Sequence, residues 1–357
     1  MRKFMSRAGW MLVLFILGLS LSAQEAVKSS IPETVKNSLD GLQKTRTANG
    51  VFNVQYKNAY FWALEKSVYV NLIFGADLDS DVAELKSLLK IKYDEKIAAE
   101  IKKTEDANKK IRKEEDKKKY EPAALVVPET FHDLYMRVLK DGVIIQEYRS
   151  HIPVDGEAAA YYSFGTILAP GEYDVLLNIN RVDNSKDGTQ IIKLRVPELT
   201  LLDITKPRTD IQISTPVFYK EVKQLLQPET RFTVVKNKYE NGPAQLDFFP
   251  YTSLTFKNSD KPTLTFFILG AVTAQSAEPW NISAGIEIRS GKERVAKFEE
   301  LKLSNPYFYQ PIEFIKKDND KTSPLPTGDY TLAMELKDNN QDGQAKGSFE
   351  IAFKIVE

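Results

Sequence analysis

LAPGEYDVLLNI, Leu168 to Ile179, and LPTGDYTLAMEL, Leu325 to Leu336, are the same strand written twice. Gly171 matches Gly328 and Tyr173 matches Tyr330, each pair 157 positions apart. After the glycine, apolar and polar residues alternate, the period-two signature of a half-buried strand. The glycine admits a tight turn. The tyrosine can then cover the end of a β-sandwich while its hydroxyl finds a backbone acceptor, which makes a structural corner. Each copy continues through a polar turn, DNSKDG from Asp183 and DNNQDG from Asp338, into a closing strand, IIKLRVPE and FEIAFKIVE.

Working upstream, SVYVNLIFGA from Ser67 resembles PTLTFFILGA from Pro262, with Gly75 matched to Gly270. The hairpin YMRVLKDGVIIQEY around Gly142 resembles GIEIRSGKERVAKF around Gly291. At Lys140–Asp141 a type I turn with Gly142 as a bulge would set Leu134, Met136 and Val138 opposite Tyr148, Gln146 and Ile144. Gly75 precedes Gly142 by 67 positions, whereas Gly270 precedes Gly291 by 21, so the first copy carries about 46 extra residues. The shared order of these elements predicts a duplicated unit of about seven strands per copy, an Ig-like antiparallel β-sandwich.

The surplus coincides with DVAELKSLLKIKYDEKIAAEIKKTEDANKKIRKEEDKKKYEP, from Asp81 to Pro122, which lacks glycine and internal proline and is rich in helix formers. Asp81 can cap its start and Pro122 stops it. Val82, Leu85, Leu88 and Leu89 make a buried face; Ile97, Ile101 and Ile111 are too sparse to bury much. One continuous helix of some 35 residues would reach roughly 50 Å, and a broken helical hairpin is the alternative. Asp77, Asp79 and Asp81 cluster at its root, either to cap the helix or, as the lesser reading, to meet a cation.

The expected plan is therefore mainly β: residues 1–23 a signal peptide, 24–50 a polar leader, 51–198 an Ig-like sandwich with a helical insertion at about 79–122, and 199–357 a second Ig-like sandwich. The signal rests on Arg2, Lys3 and Arg7, the apolar run Met11–Leu21, and Ser22-Ala23 before Gln24. That run is about half the roughly 20 residues of a membrane span, so a chain cleaved after Ala23 would keep no span and be periplasmic or secreted. The leader is a mobile segment or a packing arm, with a short helix from Pro32 to Leu42. The apolar link Pro197–Thr205 argues for restricted motion between the sandwiches.

There is no cysteine, so disulfides, thiol catalysis and thiolate metal sites are excluded. Lysine plus arginine and aspartate plus glutamate balance at 49 each, which gives no general attraction for nucleic acid. The two histidines, His132 and His151, lie in strand patterns and have no serine nucleophile context. Metalloprotease, P-loop and dinucleotide signatures are absent, and no carboxylate pair stands out. The remaining site candidates are the matched turns. Asp183, Ser185 and Asp187 precede Gly188, and Asp338, Asn340 and Asp342 precede Gly343. Alternating oxygens before a glycine would suit calcium, although Phe349 falls where the bidentate acid belongs. Ordinary hairpin turns use the same residues.

On LAPGEYDVLLNI and LPTGDYTLAMEL, the VLKDGVIIQEY hairpin, and the link RVPELTLLDI into ISTPVFYK, the chain resembles the Ig-like tandem region of secreted bacterial proteins of acidobacterial type. In those a von Willebrand A-related module often precedes the sandwiches. The likeness runs from Gly50 to the C-terminus, apart from the insertion. It implies a fold and no activity, and the DxSxS metal motif of the A module is missing. The expected function is a non-enzymatic scaffold that binds another envelope or extracellular protein, without a cofactor. A carbohydrate-binding accessory protein is the alternative, from aromatics such as Trp280, Tyr307, Phe308, Tyr309, Phe314, Tyr161, Tyr162 and Phe164, which a sandwich core would equally use. A hydrolase with an unrecognised carboxylate pair is the lower alternative.

Overall fold

The structure, a computed structural model, describes residues 31–111, 113, 117, 119–154, 159–206, 208–224, 234–241, 246–251, 253–274, 280–318, 321–341 and 345–357. The expected signal peptide and Asp342 lie outside the described residues. The chain is mainly β, and among the described residues its several sheets are antiparallel except for one strand pair.

The first half holds β1 (Gln55–Ala63), β2 (Val68–Gly75), β3 (Thr130–Lys140), β4 (Val143–Pro153), β5 (Tyr162–Leu168), β6 (Gly171–Arg181) and β7 (Asp187–Val196). One layer orders β1-β2-β5 and the other β4-β3-β6-β7. Val70, Leu72 and Phe74 from the first layer meet Leu134, Met136, Val138, Val175, Leu177 and Ile179 from the second in one core.

The second half holds β8 (Gln212–Ile213), β9 (Val217–Gln224), β10 (Val234–Lys236), β11 (Tyr239–Asn241), β12 (Leu246–Pro250), β13 (Thr255–Lys257), β14 (Thr263–Leu269) and β15 (Ile282–Ser290). It continues with β16 (Glu293–Lys297), β17 (Leu301–Leu303), β18 (Tyr307–Pro311), β19 (Ile315–Asp318), β20 (Lys321–Pro324), β21 (Gly328–Asp338) and β22 (Lys346–Val356). Its layers contain β9-β14-β18 and β16-β15-β21-β22, the same order as in the first half. Register repeats as well. Met136 faces Leu177 and Val138 faces Val175; Ile286 faces Met334 and Ile288 faces Leu332. Both corners form as the sequence suggests. Tyr173 donates its hydroxyl to the Ala169 carbonyl and Tyr330 to that of Pro326, each at 2.9 Å.

Three details differ from the sequence reading. Asp141 and Gly142 both take positive φ, 52° and 78°, so Lys140 pairs directly with Val143. That two-residue turn, followed by a bulge between Val138 and Leu139, sets Met136 opposite Tyr148 and Val138 opposite Gln146. Beyond the bulge the pairing slides by two residues relative to the expected turn and keeps Gln146 and Tyr148 on the face of Val138 and Met136, whereas Ile144 pairs with Leu139 and so lies on the opposite face. Second, Gly75 and Gly270 are not equivalent. The core-facing residues of β2 are Val70, Leu72 and Phe74, and those of β14 are Leu264, Phe266 and Ile268. The glycine match is one residue out, enough to exchange the two faces of the strand. Third, β6 ends on Arg181 and β21 on Asp338, so Asp183 and Asp338 occupy different places in their turns.

The leader is a packing arm over the described part. Helix α1 (Glu33–Thr45) lays Val35, Leu39 and Leu42 on Tyr135, Leu139 and Leu176, on the outer face of β3 and β6. Arg137, almost fully buried, ties Asp40 of α1 to Glu147 of β4 at 2.6 and 2.8 Å. Arg46 closes the arm with a bidentate grip on Asp174.

Candidate docking arm and its buried root

The connection from β2 to β3 contains α2 (Asp79–Asn108), a helix of 30 residues. At 1.5 Å per residue it extends about 45 Å. It ends well short of Pro122, and none of the described residues between 109 and 128 is helical. The chain instead doubles back, since the Tyr93 hydroxyl donates to the carbonyl of Ala123. The dense lysine and glutamate of 109–119 offer no apolar face that would hold a second helix against the first.

The expected buried face does not form. Val82, Leu85 and Leu89 are half-buried, while Leu88 is 42%, Ile91 50% and Ile101 41% exposed. On the returning strand of chain, Leu125, Val126 and Val127 are exposed too, Val126 to 81%. One side chain of α2 is buried, Asp81. It does not cap the helix, whose first turn follows Leu78 without a side-chain cap. It points instead into the sandwich.

There the Asp81 carboxylate meets His132 of β3, with Nε2 2.9 Å from Oδ2, and Lys186 of the β6–β7 turn, whose Nζ donates to Oδ1 at 2.5 Å. Arg181, at the end of β6, lies 3.6 Å away and also contacts Asp183. Lys186 reaches on to Glu84, one helical turn above Asp81. The His132 ring is 1% exposed and stands edge-on to Phe52 at 5.1 Å. Burial holds the His132 pKa below its ordinary 6.5; Asp81 opposes this, and Arg181 and Lys186 reinforce it. Burial works against the Asp81 carboxylate, but hydrogen bonds from Lys186 and His132 outweigh it and keep its pKa below 3.8. The sequence carries no local sign of this cluster, because its members come from 81, 132, 181 and 186.

On the opposite face of β3, Asp133 is buried and holds the exposed His151 at 2.6 Å and Arg149 at 2.8 Å. Tyr135 lies beside it, its hydroxyl pushed up to about 12 by burial and by the Asp133 charge.

The turn residues singled out for calcium are engaged by the protein. Asp183 Oδ1 accepts from the amide and hydroxyl of Ser185. Asp187 accepts from Ser38 of α1 and from Asn178. Asp338, fully buried, accepts from the amides of Asn340 and Val272 and from Gln341, while Asn340 donates to the Val272 carbonyl. Among the described residues no group of three or more acidic or histidine side chains converges as a metal site. Of the aromatics, Phe308, Phe314, Tyr161, Tyr162 and Phe164 are in cores, Trp280 and Tyr307 are half-buried, and Tyr309 is exposed.

The edges of the two matching layers differ. At the free end of β4, Val143, Ile144 and Ile145 are all exposed. The corresponding strand β16 opens with Glu293 and Arg294. Charge on an edge strand discourages pairing with another chain, and an apolar edge invites it. Among the described residues no helix is long and apolar enough to cross a membrane. No protein-family model matches the chain, and no curated protein matches it.

Proposed function

We propose that this chain is an exported, non-enzymatic scaffold of two tandem Ig-like sandwiches, with α2 as an arm inserted into the first that docks another protein of the cell envelope. The observation that carries this reading is the helix itself. Thirty residues extend from a single buried side chain, Leu88, Ile91 and Ile101 stand exposed along the helix, and Leu125, Val126 and Val127 stand exposed on the chain that returns past Tyr93. A solitary helix gains most of its stability from a packed face. Large apolar side chains left exposed along a projecting element are candidates for cover by a partner.

The tandem Ig-like reading is supported by the repeated strand order, the repeated register and the two tyrosine corners. In each half the strand after the third pairs with the third rather than returning to the first layer. Export is supported by the basic, then apolar, first residues and the Ser22-Ala23 exit.

The test is affinity capture from envelope extract with the mature chain, intact and lacking Lys86–Lys119. Both forms should fold, because the deletion spares Asp81 and both cores. The partner should be retained by the intact chain and lost by the shortened one. Capture that survives the deletion removes α2 as the docking element.

A further inference from the structure

The root of α2 places an ionisable ring where the fold withholds water from it. His132 is buried between the edge of Phe52 and the Asp81 carboxylate. The charged groups around it come from every element packed there: Asp81 and Glu84 from α2, Arg181 from β6, and Asp183 and Lys186 from the following turn. Glu84 and Asp183 are about half exposed at the rim, where solvent screens them. Inside the rim, Lys186 and Arg181 already share the one buried carboxylate. A proton on the imidazole would add a third cation to that set, in a place where burial supplies no compensating water.

We propose that the root of α2 is an acid-released latch: a proton taken up by His132 loosens Asp81 from the sandwich and frees the first turns of the helix. The latched state holds the His132 pKa below 6.5, and a freed ring regains 6.5. The freed state therefore binds more protons. The latch is intact above pH 6.5 and weakens as pH falls towards the depressed value, by up to about tenfold per pH unit. Asp81, whose pKa is also depressed, adds an effect of the same sign only below about pH 4. Any effect of acid on partner capture rests on the docking role proposed above, whereas release of the helix root does not.

Hydrogen–deuterium exchange on the full chain between pH 7.5 and 5, corrected for intrinsic rates, tests the latch. Amides from Val82 to Leu89 should lose protection by up to about tenfold per unit below pH 6.5, while those of β6 hold theirs. His132→Gln keeps an N–H donor for Asp81 but does not titrate, and its profile should be flat. Should that variant misfold, Lys186→Gln decides the matter. It removes one competing cation, raises the proton affinity of His132 in the latched state, and should shrink the pH response. A flat profile in the unaltered chain overturns the latch. So does β6 losing protection in step with α2, or an unchanged slope in His132→Gln. Release without capture of a partner at any pH would sink the docking reading alone.

Discussion

Tyr173 and Tyr330 show how far single residues could be read. Each follows a glycine by two positions, and each hydroxyl reaches back four residues to a carbonyl. The role follows from chemistry, since a buried phenol needs a partner and the backbone just before the turn is nearest. Tyr173→Phe and Tyr330→Phe should each lower stability by about 1 kcal/mol. They lie in different halves, so the double variant should show the sum within roughly 0.5 kcal/mol. Urea denaturation with a shared slope checks both points. Gly188 and Gly347 were less legible. Gly188 reads as a turn residue in DNSKDG and Gly347 carries no signal of its own, yet a Cβ on Gly188 would overlap the Phe52 carbonyl, and one on Gly347 that of Ile211. Each glycine lets the segment leading into a half cross the last strand of that half. No local pattern separates a glycine that bends the chain from one that makes room for it. The same limit applies to Asp81. Its place in the first turn suggested a cap, and only the folded chain brings His132, Arg181 and Lys186 to it.

Elements were legible in kind and less so in alignment. The alternation of β3, β6, β15 and β21 identified the strands, and their pairings recur in both halves. Register was misjudged where glycines served as anchors, because turns of different geometry place their glycines at different offsets. With a side-chain period of two, a slip of one exchanges core for surface, as at β2 and β14. The projecting helix was legible from composition, but its buried face was not, because spacing specifies a stripe and cannot show what lies opposite. In α2 almost nothing does. Helix α1 is the reverse case. Its few apolar residues, Val35, Leu39 and Leu42, recur at helical spacing, and the outer face of β3 and β6 offers Tyr135, Leu139 and Leu176 to cover them. Leu39, fully buried under that arm, sets the prediction at this scale. Leu39→Ala should cost about 3 kcal/mol and expose the segment before β1 to limited proteolysis. A loss below about 0.5 kcal/mol would mean that α1 is only tethered, not packed.

Across the whole molecule, the two halves meet through large aromatic surfaces and a strand of the second half that pairs in the first. Trp62 of β1 lies 5.8 Å from Phe248 of β12 and 5.2 Å from Phe267 of β14, and Tyr219 of β9 stacks obliquely on Phe248 at 4.9 Å. Ile73, Tyr161 and Val217 complete that cluster. Strand β10, from the second half, pairs with β5 of the first. The link between halves is a short helix, α3 (Leu201–Ile204), closed by a capping box between Thr200 and Asp203, and its Leu201 amide donates to Leu64. These contacts join the two halves on either side of the apolar link Pro197–Thr205. The aromatics that the sequence offers for a ligand platform are largely spent on this junction and on the two cores. Coupling of this extent predicts a single unfolding transition by calorimetry, with the van't Hoff and calorimetric enthalpies equal. Phe248 is buried at the centre of the junction, and Phe248→Ala should remove about 3 kcal/mol. Most of that loss falls on the coupling between halves, so the variant's transition should broaden or split in two. Two resolved transitions in the unaltered chain would instead show halves that fold independently, and α2 would then extend from a flexible base.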